Sequence, residues 1–170
     1  NMYGDEGLDT LNLSFINRNL DGITAPVQAF AGADSASCNL YDDALLSHDD
    51  TYTVTATTIT RPFFAGVTFG QEELYSLRLI CQDGNNIINV QSTPSLTETE
   101  IRGGPGNDIC RLTPTGSNLD ALGGTILFVG GVDQDEIYFY DQANTSDDDW
   151  EISTGAIRRD GMDDVSYFAE

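Results

Sequence analysis

The sequence predicts an all-β protein, a parallel β-helix (β-solenoid) built from coils of about 25 residues that can bury their apolar stripe only by stacking. Three observations lead there: the chain matches itself at a spacing of 99 residues, its apolar positions alternate with period two between Gly/Asp/Asn turns, and no amphipathic helix pattern is present. An antiparallel β-sandwich is the alternative, favoured if the turns are hairpins.

The self-match comes first because a missed repeat misplaces every element. At an offset of 99, Gly7-Leu8-Asp9-Thr10-Leu11-Asn12-Leu13 falls on Gly106-Asn107-Asp108-Ile109-Cys110-Arg111-Leu112, Asn19-Leu20-Asp21 on Asn118-Leu119-Asp120, and Tyr41-Asp42 on Tyr140-Asp141. Sixteen of the 52 positions from 4 to 55 are identical without a gap. Beyond them an offset of 98 pairs Ile59 with Ile157, Arg61 with Arg159, Val67 with Val165 and Glu72 with Glu170. The chain therefore reads as one continuous solenoid with a first unit over 1–102, cut at its N-terminal edge, and a second, incomplete unit over 103–170. Both ends look like cuts in a longer array.

Within a unit the recurring theme is Asp or Asn followed by two alternating apolar residues. Asp9 precedes Leu11 and Leu13, Asp50 precedes Tyr52 and Val54, and Asn86 precedes Ile88 and Val90; Asp108 and Asp135 head the same pattern. Upstream strands are expected at Val27 to Phe30, Leu77 to Cys81, Thr97 to Ile101 and Ile126 to Val129. The spacing gives about four coils per unit, a rise on the order of 19 Å at the usual strand separation. Cys38, Cys81 and Cys110 fall on inward positions and are expected to be buried thiols; a bridge between Cys81 and Cys110 is the alternative.

Twenty Asp and eight Glu face seven Arg and no Lys, for a net charge of −21. Such a surface repels phosphate backbones and anionic headgroups, so nucleic acid and bare membrane are excluded as partners, and divalent cations are favoured. No apolar run is long enough to span a bilayer.

Gly103-Gly104-Pro105-Gly106-Asn107-Asp108-Ile109-Cys110-Arg111 resembles the GGxGxDxUx nonapeptide of the RTX, or haemolysin-type, family, with Cys110 at the large apolar position; Gly130 to Asp135 and Gly4 to Asp9 are weaker echoes. The resemblance implies calcium held by Asp carboxylates and glycine carbonyls between neighbouring turns, with Asp9, Asp34, Asp108, Asp133 and Asp135 as the candidate ligands. The copies stand 22 to 50 residues apart instead of nine, so plain Asx-turn stabilisation competes with that reading. The order of elements across the unit, from the GGxGND turn through the Thr-rich Thr55–Thr60 stretch to Val67-Thr68-Phe69, resembles the long Asp/Gly-rich repeats of giant cell-surface and adhesin-like proteins.

That resemblance implies a structural module of an extracellular or cell-surface rod, stalk or filament, with adjacent copies of the repeat, self-assembly and glycans as partners. A calcium-dependent adhesion or carbohydrate-binding module is the alternative, and a polysaccharide-acting β-helix enzyme the third reading. No catalytic residue is assigned. The lone His48 meets Asp147 in the second copy, and no GxSxG, HExxH or P-loop pattern occurs. Asn12 and Asn144 head N-glycosylation sequons, and Asn12, between two inward leucines, is expected to point outward.

Overall fold

In the computed structural model, residues 2–3, 6–30, 35–44, 48–70 and 74–168 are described. Asp34 lies outside them. The strands in chain order are β1 (Met2–Tyr3), β2 (Asp9–Leu13), β3 (Val27–Phe30), β4 (Ala36–Tyr41), β5 (Thr51–Val54), β6 (Thr58–Arg61), β7 (Phe64–Phe69) and β8 (Leu74–Ile80). They continue as β9 (Ile87–Val90), β10 (Glu98–Arg102), β11 (Ile109–Leu112), β12 (Ile126–Val129), β13 (Glu136–Phe139), β14 (Trp150–Ile152), β15 (Ala156–Arg159) and β16 (Met162–Phe168). The protein is all-β; among the described residues the helical segments are two single-turn 3-10 segments, Leu20–Gly22 and Leu119–Ala121.

The strands form two eight-stranded mixed sheets, sheet I in the order β1-β3-β7-β6-β5-β9-β11-β13 and sheet II in the order β14-β15-β16-β12-β10-β8-β4-β2. From β2 onward the chain alternates between them: β2 in sheet II, β3 in sheet I, β4 in II, β5 to β7 in I, and so on to β13 in I and β14 to β16 in II. Ten strand pairings are parallel; the four antiparallel ones are β5–β6, β6–β7, β14–β15 and β15–β16. The expected parallel β-helix of even coils is therefore corrected: the two sheets are mixed, closer to the alternative β-sandwich.

The correction has a local cause. Thr55 closes a tight turn: its N–H donates to Thr58 O at 2.9 Å, while its Oγ1 accepts from the N–H of Thr57 and of Thr58. The chain folds back as β6, then turns again at Pro62-Phe63 into β7. Ser153 closes the matching turn of the second unit, its N–H donating to Ala156 O at 2.9 Å and its Oγ accepting from Ala156 N. Ser153 thus keeps in the second turn the hydroxyl that Thr55 supplies in the first.

Inward positions of both sheets make one apolar cluster. Cys38, Leu40, Leu77, Leu79 and Ile101 of sheet II and Tyr52, Val54, Ile88, Val90 and Leu112 of sheet I are all essentially inaccessible. Register keeps them stacked: Cys38 lies opposite Leu77, Leu40 opposite Leu79, and Ile88 between Tyr52 and Cys110. The three cysteines are free and buried, and burial raises their thiols, Cys38 and Cys110 up to about 12.

Elements 99 or 98 residues apart adopt the same conformation. Asn19 and Asn118 each cap a 3-10 turn by accepting from the N–H two residues on, and Ser14/Thr113 and Arg18/Ser117 all have φ between 50° and 58°. The matching strands lie in opposite sheets, β2 in II against β11 in I and β5 to β7 in I against β14 to β16 in II, because seven passages separate β2 from β11. An odd number of passages puts matching strands in opposite sheets. The nine strands of one offset correspond to a rise of about 22 Å.

Seven non-glycine residues among those described hold a left-handed φ, and Phe63 is one whose counterpart is a glycine. Phe63 holds φ 61° at the turn where its counterpart Gly161 holds φ 77°, and its side chain is 83% exposed. An L-residue there costs about 1–2 kcal/mol, part of which glycine gives back through its freer unfolded chain. Phe63→Gly is expected to stabilise the fold by about 0.5–1 kcal/mol, read as a higher urea midpoint at unchanged slope; a lower midpoint would show that the exposed ring makes a contact worth more than the strain.

Candidate functional site

Two polar constructions occupy the interior. The first is a ladder at the corners that lead into sheet I. Strands β5, β9, β11 and β13 are preceded by Asp49-Asp50, Asn85-Asn86, Asn107-Asp108 and Gln134-Asp135. The inner members bond from corner to corner: Asp50 N–H donates to Asn86 Oδ1 at 3.3 Å, Asn86 N–H to Asp108 Oδ1 at 2.8 Å, and Asp108 N–H to Asp135 Oδ1 at 2.9 Å. The outer members bond in the opposite sense, Asn85 N–H to Asp49 Oδ1 at 2.8 Å, Asn107 N–H to Asn85 Oδ1 at 2.9 Å and Gln134 N–H to Asn107 Oδ1 at 3.0 Å. Neighbouring corners therefore exchange two bonds. They also approach so closely that a side chain at Gly106 would collide with the Gly84 carbonyl, and one at Gly131 with the Gly104 carbonyl.

Asn86 completes its corner with Nδ2, which donates to Gln82 O at 2.8 Å, Gly84 O at 3.0 Å and Gly103 O at 3.3 Å. Asp108 occupies the same station one corner on with an acceptor where Asn86 has a donor. Its Oδ2 is buried without a partner, as is that of Asp135, and each is wedged against a glycine backbone, Gly103 and Gly130 respectively. Burial pushes the Asp108 carboxyl up to about 7, hydrogen bonds from Asn86 oppose the rise, and Asp135 adds to it.

Of the sequence candidates for calcium, the structure brings together only Asp108 and Asp135. Asp9 opens β2 in the other sheet, facing Ala36 in register, with its own Oδ2 buried and unpartnered. Asp133 is exposed at a left-handed turn, φ 84°. Calcium takes six to eight oxygens. Asp108 and Asp135 supply one spare carboxylate oxygen each beside glycine backbone, and among the described residues no three His, Cys, Asp or Glu side chains converge. The pair fits part of a calcium shell, the rest of which would be carbonyl and water.

The second construction is a buried clasp around Arg61, the residue that aligns with Arg159. Arg61 is 6% exposed and Asp42 1%. Asp42 Oδ2 accepts from Arg61 Nε at 2.6 Å and Tyr52 OH at 2.7 Å, and its Oδ1 accepts from Arg61 Nη2 at 2.9 Å and Leu20 N–H at 2.8 Å. Asp21 and Asp50 approach Arg61 Nη1 at 2.7 and 3.7 Å. Burial lowers the Arg61 pKa, but bonds to Asp42 and Asp21 raise it further, so the guanidinium stays charged.

The second unit repeats the clasp. Arg159, 4% exposed, pairs with Asp120, Asp141 and Asp148, and Asp141 Oδ1 accepts from Leu119 N–H at 2.9 Å. Both guanidinium carbons stand 5.9 Å from an aromatic ring, Tyr52 in one unit and Trp150 in the other. These equivalences align Asp50 with Asp148 and Tyr52 with Trp150, so the dropped residue falls between Asp42 and Asp50, earlier than the sequence register places it. The available signal was that seven arginines are scarce among 28 acids and two of them recur in step with the same aspartates.

Of the sequon asparagines, Asn12 is exposed and only its Oδ1 is engaged, by Asn39 Nδ2 at 3.0 Å. Asn144 is half-buried, and its Nδ2, the atom a glycan would take, donates to Asp148 Oδ2 at 2.7 Å. His48 is exposed.

Comparison with protein-family models, with curated protein sequences and with solved structures gives no match.

Two outcomes are expected. Asp42→Ala strands a buried guanidinium and the Tyr52 hydroxyl and should cost about 3–5 kcal/mol in urea unfolding, whereas the double change Asp42→Leu, Arg61→Met should cost less than Asp42→Ala alone; a double variant that is worse refutes the pairing as the source of the loss. Asp108 titrates near 7 when folded against an ordinary 3.8, so the folded state holds the extra proton and this site's stability falls as pH rises between those values. Asp108→Asn, which supplies the donor that Asn86 has, should gain over wild type as pH rises from 4 to 7, with the gap level above 7; an equal gap at pH 4 and pH 8 would refute the raised carboxyl.

Proposed function

We propose that this chain is a non-enzymatic structural module, a β-solenoid segment of a long extracellular or cell-surface rod, stalk or filament whose neighbours are further copies of the same unit. The observation that carries it is the recurrence of a whole set of elements, from β2 through β7, in β11 through β16, with the same caps, turns and arginine clasp on opposite sheets. What recurs is what builds and locks strands. Tyr52 gives way to Trp150, His48 is an exposed residue whose sequence counterpart is Asp147, and the carboxylates kept in both units, Asp21/Asp120 and Asp42/Asp141, are engaged by the clasp arginines. The charge of −21 keeps such rods apart from one another in solution and favours cations or glycans as mediators of lateral contact.

The coding sequence on both sides of this segment is expected to encode further copies at the same spacing. Flanks without them would overturn the array.

A second reading rests on the spare Oδ2 atoms of Asp108 and Asp135, which favour a cation at that corner and hence calcium-dependent adhesion. Calcium would add charge neutralisation between two coils and stiffen the corner. Differential scanning calorimetry at pH 8 separates the readings: a rise in Tm with millimolar calcium that vanishes in Asp108→Asn supports the cation, and an unchanged Tm removes it.

A further inference from the structure

The two units differ in one systematic way, which is how well their matching apolar side chains are covered. In the first unit Cys38, Leu40, Tyr52 and Val54 are all 0% exposed. Their counterparts are Ile137 and Phe139, which are half-buried, and Trp150 and Ile152, which are 45% and 70% exposed. The first set is covered because β4 carries β8 and β5 carries β9, each in parallel, with Cys38 opposite Leu77, Leu40 opposite Leu79, Tyr52 opposite Ile88 and Val54 opposite Val90. The counterparts of β4 and β5 are β13 and β14, each the last strand of its sheet, with one side paired and the other open.

From this we infer that the open face formed by β13 and β14 is a docking surface for a further copy of the same unit, entered by strands with the β8 and β9 sequences. The inference rests on the array reading above and names its interface. The incoming β8 adds in parallel to β13, setting its Leu77 over Ile137 and its Leu79 over Phe139. The incoming β9 adds in parallel to β14, setting Ile88 over Trp150 and Val90 over Ile152. Sheet assignment is consistent throughout: β8 and β9 lie in sheets II and I above β4 and β5, so the incoming pair lies in I and II above β13 and β14. The occupant is specified by register and by apolar match, and parallel addition to both sheets at once requires a chain that passes from one to the other, as the segment from Leu74 to Val90 does. A single extended peptide added to one edge would leave the other uncovered.

The test lengthens the intact chain. Because Glu170 matches Glu72, a second copy of residues 73–102 appended after Glu170 continues the unit in step. Trp150 is the single tryptophan and reports directly. Relative to the 170-residue chain, the extended chain is expected to shift Trp150 emission to shorter wavelength, to slow amide exchange at Ile137, Phe139 and Ile152 by about tenfold or more, and to raise the urea midpoint. A control carries Asp at the four positions of the appended segment that match Leu77, Leu79, Ile88 and Val90, and is expected to behave like the unextended chain. Unchanged emission and exchange in the first chain, or the same changes in the control, would overturn the docking surface. Flanking sequence without further copies would instead remove the array while leaving a positive docking result standing, so the two failures are distinguishable.

Discussion

A side-chain oxygen that reaches one strand spacing and accepts from the amide of the neighbouring corner holds sheet I in register, and most of the molecule depends on it. Asx residues are suited to this because their oxygen stands two bonds beyond Cβ, far enough to bridge adjacent coils and too short to bridge any other distance. Asn86, Asp108 and Asp135 each accept from the corner before, and Asp49, Asn85 and Asn107 each accept from the corner after. Slipping one strand by a residue would break a reciprocal pair and turn its apolar face outward together. The glycines at 106 and 131 follow from the same closeness, since corners near enough to exchange these bonds leave no room for Cβ.

The arginine clasps solve a different problem. Folding back twice within one sheet, as β5–β6–β7 does, brings a turn across the 3-10 segment and leaves buried amide and hydroxyl groups that strand pairing does not satisfy. Asp42 answers the Leu20 amide and the Tyr52 hydroxyl at once, and Arg61 neutralises it. One guanidinium with several acids nearby is an expensive arrangement to desolvate, and it is used where a single geometry must be specified rather than where stability is cheapest.

Each fold-back adds two strands to one sheet alone. If successive units began in the same sheet, that sheet would grow by two strands more per unit than its partner, and the pair could stay face to face only by bending. The odd number of passages between matching strands removes the imbalance, because the insertion falls in sheet I at β5–β7 and in sheet II at β14–β16, and among the described residues each sheet counts eight strands.

The all-β class, most strand positions and the buried cysteines were legible in the sequence, because period-two alternation and turn residues are local signals. The Asp and Asn heading each apolar pair were legible as turn residues, but not as a ladder, since whether Asp108 meets Asp135, Asp9 or calcium depends on which corners are stacked. The mixed sheets were not legible: Thr55 and Ser153 close hairpins whose residues look like any strand. Nor was the partnership of Arg61 with Asp21, Asp42 and Asp50, spread over 40 residues of chain and joined only where two sheets meet. The sequence by itself determined what each segment is, because that rests on neighbours along the chain. Which segments lie side by side, and in which of the two sheets each one falls, came only from the tertiary fold, because that rests on contacts between residues that the chain keeps far apart.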